Sequence, residues 1–184
     1  PMYGNIASAK EAGADVLVIG MAPSGGQLPP EMISEVDEAV AAGMSVVNGL
    51  HQHLGPRYPN LPSGQWIWDI RQEPKGLGIA WARAAALQNR RVLMVGTDMA
   101  IGKKTAGLEI WHAALRQNIR AEFLATGQTG VLISGKGIPL DAIRVDYACG
   151  AVEKMVLEAA EAQGHHPSPL LCAFMTRCQV AYFP

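Results

Sequence analysis

Residues 91–105 read Arg-Val-Leu-Met-Val-Gly-Thr-Asp-Met-Ala-Ile-Gly-Lys-Lys-Thr: a short apolar strand, a loop bounded by Gly96 and Gly102, and the start of a helix at Lys103. That order of elements cradles a phosphate. The loop turns successive backbone N–H groups inward, and the helix behind it presents unsatisfied N-terminal donors and the positive end of its dipole. Glycines at both ends permit backbone angles that a side chain forbids, and a lysine directly after the second glycine reaches the outer phosphates. The phosphate-binding set is therefore Gly96, Thr97, Asp98, Met99, Ala100, Ile101, Gly102, Lys103, Lys104 and Thr105. Five residues separate the glycines, one more than in the commonest phosphate loop, and Lys104 stands where a metal-binding hydroxyl normally follows the lysine. Thr105 would have to hold the metal from one helical step further round, which leaves Mg2+ coordination an open question. The plain alternative is a tight strand-to-helix turn with solvated lysines. The full context of strand, Gly-Thr-Asp, second glycine, lysine and amphipathic helix favours phosphate over that alternative.

The elements that must position this loop alternate strand and helix. Asp15-Val-Leu-Val-Ile-Gly20 is a branched apolar run ending in glycine, as buried parallel strands do. The loop Pro23–Pro30 leads into a helix over 31–42 that Gly43 ends, and residues 44–48 form the next strand, so 15–48 is a strand–helix–strand unit with a right-handed crossover. Residues 49–64 are mostly loop, 66–70 a further short strand, and 71–78, with Pro74, Gly76 and Gly78, a linker. Leu108, Trp111 and Leu115 recur at helical spacing over 103–117. A strand over 121–125 follows, then two glycine-rich turns about a strand apart, 126–130 and 134–137, then a helix over 141–162 with Glu153, Lys154 and Glu158 outward. Residues 165–184 show no periodicity and stay unassigned. The fold class is thus α/β, a parallel-sheet domain over 1–78 followed by a phosphate-loop parallel-sheet domain over 79–184.

Composition bounds the partners. The 184 residues are 49% hydrophobic with a formal net charge of −1, enough to bury a core and too balanced to attract nucleic acid or an anionic membrane. No apolar run is long enough to span a bilayer, and Pro-Met-Tyr-Gly-Asn-Ile lacks the regions of a signal peptide, which makes a cytoplasmic location the default expectation. Cys149, Cys172 and Cys178 are odd in number and form no Cys-x-x-Cys pair, so reduced thiols are expected rather than disulfides or structural zinc.

Several blocks together carry a family resemblance. Val95–Thr105, Ala125-Thr-Gly-Gln-Thr-Gly130, Gly135-Lys-Gly137 and Asp146-Tyr-Ala-Cys-Gly-Ala-Val-Glu153 resemble the D-glutamate N-acetyltransferase-like family, as do Gly13–Gly20, Ala22–Gly26, Leu28–Pro30, Val47-Asn-Gly-Leu-His51 and Asp69-Ile-Arg71. The resemblance covers residues 4–162 with the blocks in order, and implies a Rossmann-like N-terminal domain joined to a phosphate-loop domain. It also implies an incomplete chain, because the family's first Rossmann strand and glycine-rich turn should already have passed at residue 1, and Glu161-Ala-Gln-Gly164 follows helical sequence where the family has a strand. By its loop alone the chain is also similar, more distantly, to dethiobiotin synthetase.

The chemistry implied by the resemblance is acetyl transfer from acetyl-CoA to the amine of an acidic amino acid. Such a reaction needs a deprotonated amine, a polarised thioester carbonyl and an anchored pyrophosphate. The loop is the anchor. Thr126, Gly127, Gln128, Thr129 and Gly130 lie after the next strand, at the carboxyl edge where such sheets bind ligands, and are assigned to the substrate. Asp98, Asp146 and Glu153 are the candidates for general base or metal carboxylate. Two alternatives stand beside this one: ATP- and Mg2+-dependent ligation or phosphoryl transfer through the same loop, and a non-catalytic nucleotide-binding module.

Other residues are weighed against plain roles. His51 follows a strand end and is a substrate-cleft candidate, while His53, His165 and His166 lack zinc-site spacing. Lys136, between two glycines, either touches a second phosphate or is a turn lysine. Cys149 reads as a packed thiol, Trp66 and Trp68 as a core or interface pair, and Gly25-Gly26 as an ordinary loop. Incomplete sheets leave apolar edges, so a homo-oligomer is expected.

Overall fold

A computed structural model describes residues 2–98, 100–162 and the strand Leu171–Met175. Met99, His165, His166 and Cys178 lie outside the described residues. The chain divides into two compact units between Arg71 and Gln72.

In the first unit a short helix α1 (Ile6–Glu11) precedes β1 (Val16–Val18), α2 (Pro30–Ala41), β2 (Ser45–Asn48) and β3 (Ile67–Asp69). The strands are parallel in the order β1-β2-β3, with Leu17 beside Val46 and Val46 beside Ile67. All four residues of β2 are buried, as a central parallel strand requires. Pro30 opens α2, where a missing N–H costs nothing. That helix sets Val36 against Val46, Leu50 and Leu54 in a core that also takes in Leu17 and Ile67. Each such side chain contributes about 1.5–3 kcal/mol by leaving water. Helix α1 was not expected from the sequence; Asn5 caps it by accepting from the Ser8 N–H at 2.8 Å. Trp66 and Trp68 do not form the core pair that was one of their two expected roles. Ile67 faces α2, so its neighbours point to the opposite face, where they are 43% and 36% exposed.

The second unit carries β4 (Arg91–Met94), α3 (Lys103–Arg116), β5 (Ala121–Leu124), α4 (Gln128–Ser134), α5 (Ala148–Ala162) and β6 (Leu171–Met175). Its sheet is parallel in the order β4-β6-β5. The central strand thus comes from the stretch left unassigned. On one side of the sheet α3 presses close, since a Cβ on Gly107 would lie 3.0 Å from the Phe123 ring and 3.3 Å from Met94. A second core joins Leu124, Ile138 and Ile143 to Ala151, Met155, Val156 and Ala159 of α5, with Leu77 packed against it.

Other expectations need correction here. The segment 71–78 is no free linker: Glu73 binds Arg144, Leu77 joins the core, and the Gly78 carbonyl sits where a Cβ on Gly150 would come within 1.8 Å of it. The glycine-rich stretch expected as a turn over 126–130 runs into a helix, α4, from Gln128. The helix expected over 141–162 begins only at Ala148, after tight turns at Leu140–Ala142 and Val145–Tyr147. Arg144 explains the break. Its backbone N–H and guanidinium Nε both donate to Glu73, at 3.0 Å each, holding it in extended conformation. Glu153, expected outward, is buried, and Cys149, expected packed, is exposed.

Candidate functional site

Strand β4 delivers the chain to Gly96 at the carboxyl edge of the second sheet. The loop folds back over that glycine, since a Cβ there would stand 2.4 Å from Ile101 Cδ1 and 3.0 Å from Lys103 Cδ. Gly102 takes a left-handed φ of +91°, turning the backbone into α3, and no side chain caps the helix start. The Lys103 ammonium curls over the loop and donates to the Asp98 carbonyl. Thr97, Asp98, Ala100, Ile101, Gly102 and Thr105 are exposed, while Lys103 and Lys104 are half-buried. Uncapped donors, a helix dipole and an ammonium therefore converge on one loop, a combination that holds an anionic oxygen cluster. Helix α3 is locked in place by its contact with Phe123 and by Trp111 Nε1, which donates to the Ala121 carbonyl at 3.1 Å.

Because β4 and β5 both run parallel to β6, Thr126–Gly130 emerge at the same sheet edge as the phosphate loop. Thr126 is buried and its carbonyl accepts from the Leu140 N–H at 3.1 Å. Gly127 caps α4 without a side-chain bond, Gln128 is half-buried, Thr129 is exposed, and Gly130 packs against Ala125.

The remaining candidates are placed otherwise. Lys136 Nζ donates to Glu122 Oε1 at 2.6 Å, so the ammonium serves an ion pair on β5. Glu153 accepts from the Trp81 N–H at 3.0 Å and from the Arg83 N–H, Nε and Nη2. Those backbone donors, with Arg83 adding charge, hold its carboxyl below the ordinary value. It fastens residues 81–83, with its oxygens already engaged. Asp146 is exposed in the turn before α5. Thr105 follows the two lysines on α3, and among the described residues no group of three or more His, Cys, Asp or Glu could hold a metal ion.

His51 belongs to the first unit, and its surroundings contain residues to which the sequence assigned no role. Its Nε2 lies 2.6 Å from Arg71 Nη1, and Arg71 Nε donates to the Gly49 carbonyl at 2.7 Å. Below them, Asn48 is wholly buried and donates to Asp69 Oδ1 at 2.7 Å; Asp69 also accepts from the Leu54 and Gly55 N–H groups at 2.9 and 2.8 Å. The available signal was a polar residue ending each of two apolar strands, Asn48 and Asp69.

Comparison with known proteins matches both units. A Rossmann-like domain model of the family described as domain of unknown function DUF1611 covers residues 1–73, and the P-loop domain model of the same family covers 78–167. The chain belongs to the DUF1611 family. A DUF1611 crystal structure from Anabaena variabilis superposes with a TM-score of 0.85 at 44% identity, covering 98% of this chain and 52% of that one. Among curated relatives, a D-glutamate N-acetyltransferase from Pseudoalteromonas sp is 35% identical over 162 residues, 85% of this chain and 48% of that protein. One from Tritonibacter scottomollicae is 36% identical over 150 residues, 79% of this chain and 44% of that protein. The chain thus spans less than half the length of these two relatives. Its fold is α/β, with a Rossmann-like unit and a P-loop unit.

Proposed function

We propose that this chain carries the donor-phosphate site of an N-acetyltransferase acting on an acidic amino acid, with acetyl-coenzyme A as donor. The observation that supports this reading most is the loop from Gly96 to Lys103, closed by the uncapped start of α3 at the carboxyl edge of a parallel sheet. The names of the two relatives point the same way. On binding, Lys103 Nζ exchanges the Asp98 carbonyl for a phosphate oxygen, and the N–H groups from Asp98 to Lys104 hold the pyrophosphate. The substrate amine then attacks the thioester carbonyl: the C–N bond forms, the C–S bond breaks, the thiolate leaves, and the amine proton passes to a base. Asp98 and Asp146 are exposed carboxylates of this unit and take that role before Glu153, whose oxygens are engaged. Thr126, Gln128 and Thr129 face the substrate's oxygens from the same edge.

Calorimetric titration of the chain with acetyl-coenzyme A and with ATP, each with and without Mg2+, and repeated on Lys103→Ala, tests the reading. Acetyl-coenzyme A should bind without Mg2+ and weaken at least tenfold in the variant, in line with the loss of a charge-assisted contact. Binding of ATP that requires Mg2+, with no binding of acetyl-coenzyme A, would instead establish the ligase or phosphotransferase reading, with Thr105 at the metal. Ligand binding without turnover would leave a nucleotide-binding module.

A further inference from the structure

We infer that the Lys104 ammonium takes the place of the metal ion at the phosphate loop, so that the site binds a diphosphate without Mg2+. The inference rests on the reading of that loop as a phosphate site. Loops of this kind ordinarily carry Ser or Thr directly after the lysine, and that hydroxyl, with an acidic residue from a neighbouring strand, holds Mg2+ against the phosphates. Here the position is Lys104, the second residue of α3. It lies three residues before Gly107, which packs against Phe123 and Met94, and so stands on nearly the same side of the helix, roughly 60° from the line that faces the sheet. Thr105 lies two residues before Gly107, roughly 160° round the helix from it, and is exposed. The hydroxyl has moved to the other side of α3 and a cation stands in its place. Lys104 is half-buried, and among the described residues no carboxylate or carbonyl engages its ammonium, whereas Lys103 rests on the Asp98 carbonyl and Lys136 on Glu122. An ammonium that has lost part of its hydration is stabilised when an anion arrives.

Mg2+ fits this donor set poorly. Asp98 is the single acidic residue from Gly96 to Thr105, and Leu124-Ala125-Thr126, where β5 reaches the same edge, bring no carboxylate. A divalent ion placed there would also be repelled by two ammoniums, Lys103 and Lys104. The pyrophosphate bridge of a coenzyme carries one negative charge on each phosphorus, and the two lysines match that charge with no metal between. The ligand class the loop selects is therefore an organic diphosphate free of metal, rather than a nucleoside triphosphate recognised together with its Mg2+.

The test titrates the full chain with ADP and with acetyl-coenzyme A by calorimetry, first in EDTA and then in excess Mg2+, for wild type, Lys104→Gln and Lys104→Ser; circular dichroism reports whether each variant is folded. Wild type should bind ADP in EDTA and gain nothing from Mg2+. Lys104→Gln, which keeps the length and loses the charge, should bind at least tenfold more weakly under both conditions. Lys104→Ser, which restores a hydroxyl, should be as weak in EDTA and recover affinity for ADP when Mg2+ is added. The inference is overturned if wild type binds ADP only with Mg2+, if a folded Lys104→Gln binds ADP in EDTA as tightly as wild type, or if Mg2+ leaves Lys104→Ser as weak as before. Metal-free binding of ADP with no binding of acetyl-coenzyme A would keep this inference and remove the acetyl-transfer reading. Acetyl-coenzyme A bound equally by wild type and Lys104→Gln would do the reverse, and a folded wild type that binds neither ligand would remove both.

Discussion

Charged residues in this chain divide into those that fasten the fold and those that stay exposed. Glu153 illustrates the first kind: its carboxyl is held below the usual glutamate value by the Trp81 N–H first and by Arg83 after it. A lowered folded-state value means that the carboxylate's contribution to stability is complete above the unfolded value, near pH 4.5, and is lost as pH falls through the lowered one. Denaturant titrations between pH 3 and 7 should therefore show an acid limb that Glu153→Gln flattens, with the pH profile of any turnover unmoved. Asp37 gives a sharper reading. Arg57 donates to it at 3.0 and 2.6 Å and the Tyr58 hydroxyl at 2.6 Å, lowering its carboxyl to about 2, while burial and that same bond push Tyr58 up to about 12. Carbon-detected NMR should find the Asp37 midpoint near 2 and, in Arg57→Gln, back toward 3.8. A midpoint unchanged by the substitution would show that Arg57 is not the cause.

Among the elements, the buried polar hub at the end of β3 has the largest expected effect. Removing Asp69 leaves the buried Leu54 N–H, the half-buried Gly55 N–H and one of the two Asn48 Nδ2 hydrogens without their acceptor, the other staying on the Gln52 carbonyl. Unsatisfied buried donors cost about 1–3 kcal/mol each, so Asp69→Ala should lose roughly 3 kcal/mol or more in denaturant unfolding. Leu54→Ala should fall in the same range, about 2–5 kcal/mol, by cavity formation. What the sequence disclosed follows from how each element announces itself. Strands β1, β2, β4 and β5 are branched or apolar runs bounded by turn residues, and α2 and α3 have prolines, glycines and a 3.6-residue rhythm. The phosphate loop is local in sequence, so its glycines and Lys103 were readable together. Strand β6 was not, because Leu-Cys-Ala-Phe-Met holds none of the β-branched residues that mark β1 and β2 and shows no alternation. Helix α4 hides behind Gly127 and Gly130, which read as turn. The late start of the expected 141–162 helix depends on Glu73, some seventy residues upstream, gripping Arg144. Arg71 has the same origin: two of its partners, Gly49 and His51, come from another strand's loop.

At the scale of the whole molecule, each sheet has three parallel strands among the described residues. In the first, α2 and its neighbours cover the face of Leu17, Val46 and Ile67. On the other face the pairing sets Val18, Val47 and Trp68 side by side, and only Val47 is buried; Val16 is 41%, Val18 49% and Trp68 36% exposed. The second unit, taken by itself, exposes Leu93 at 52% on β4 and Val95 at 67% just past its end. Contiguous apolar surface of this kind draws a matching surface out of water, and in a purified solution the surface available is another copy of the chain. Static light scattering over a hundredfold range of concentration should show an apparent mass rising above that of a single 19.6 kDa chain. Val18→Lys with Trp68→Lys places two charges on the open face and leaves the α2 core intact, so it should return the mass to that of one chain without loss of helical signal. A wild-type protein that stays monomeric throughout the range would remove self-association from the account, and association that survives the double substitution would move it to another surface.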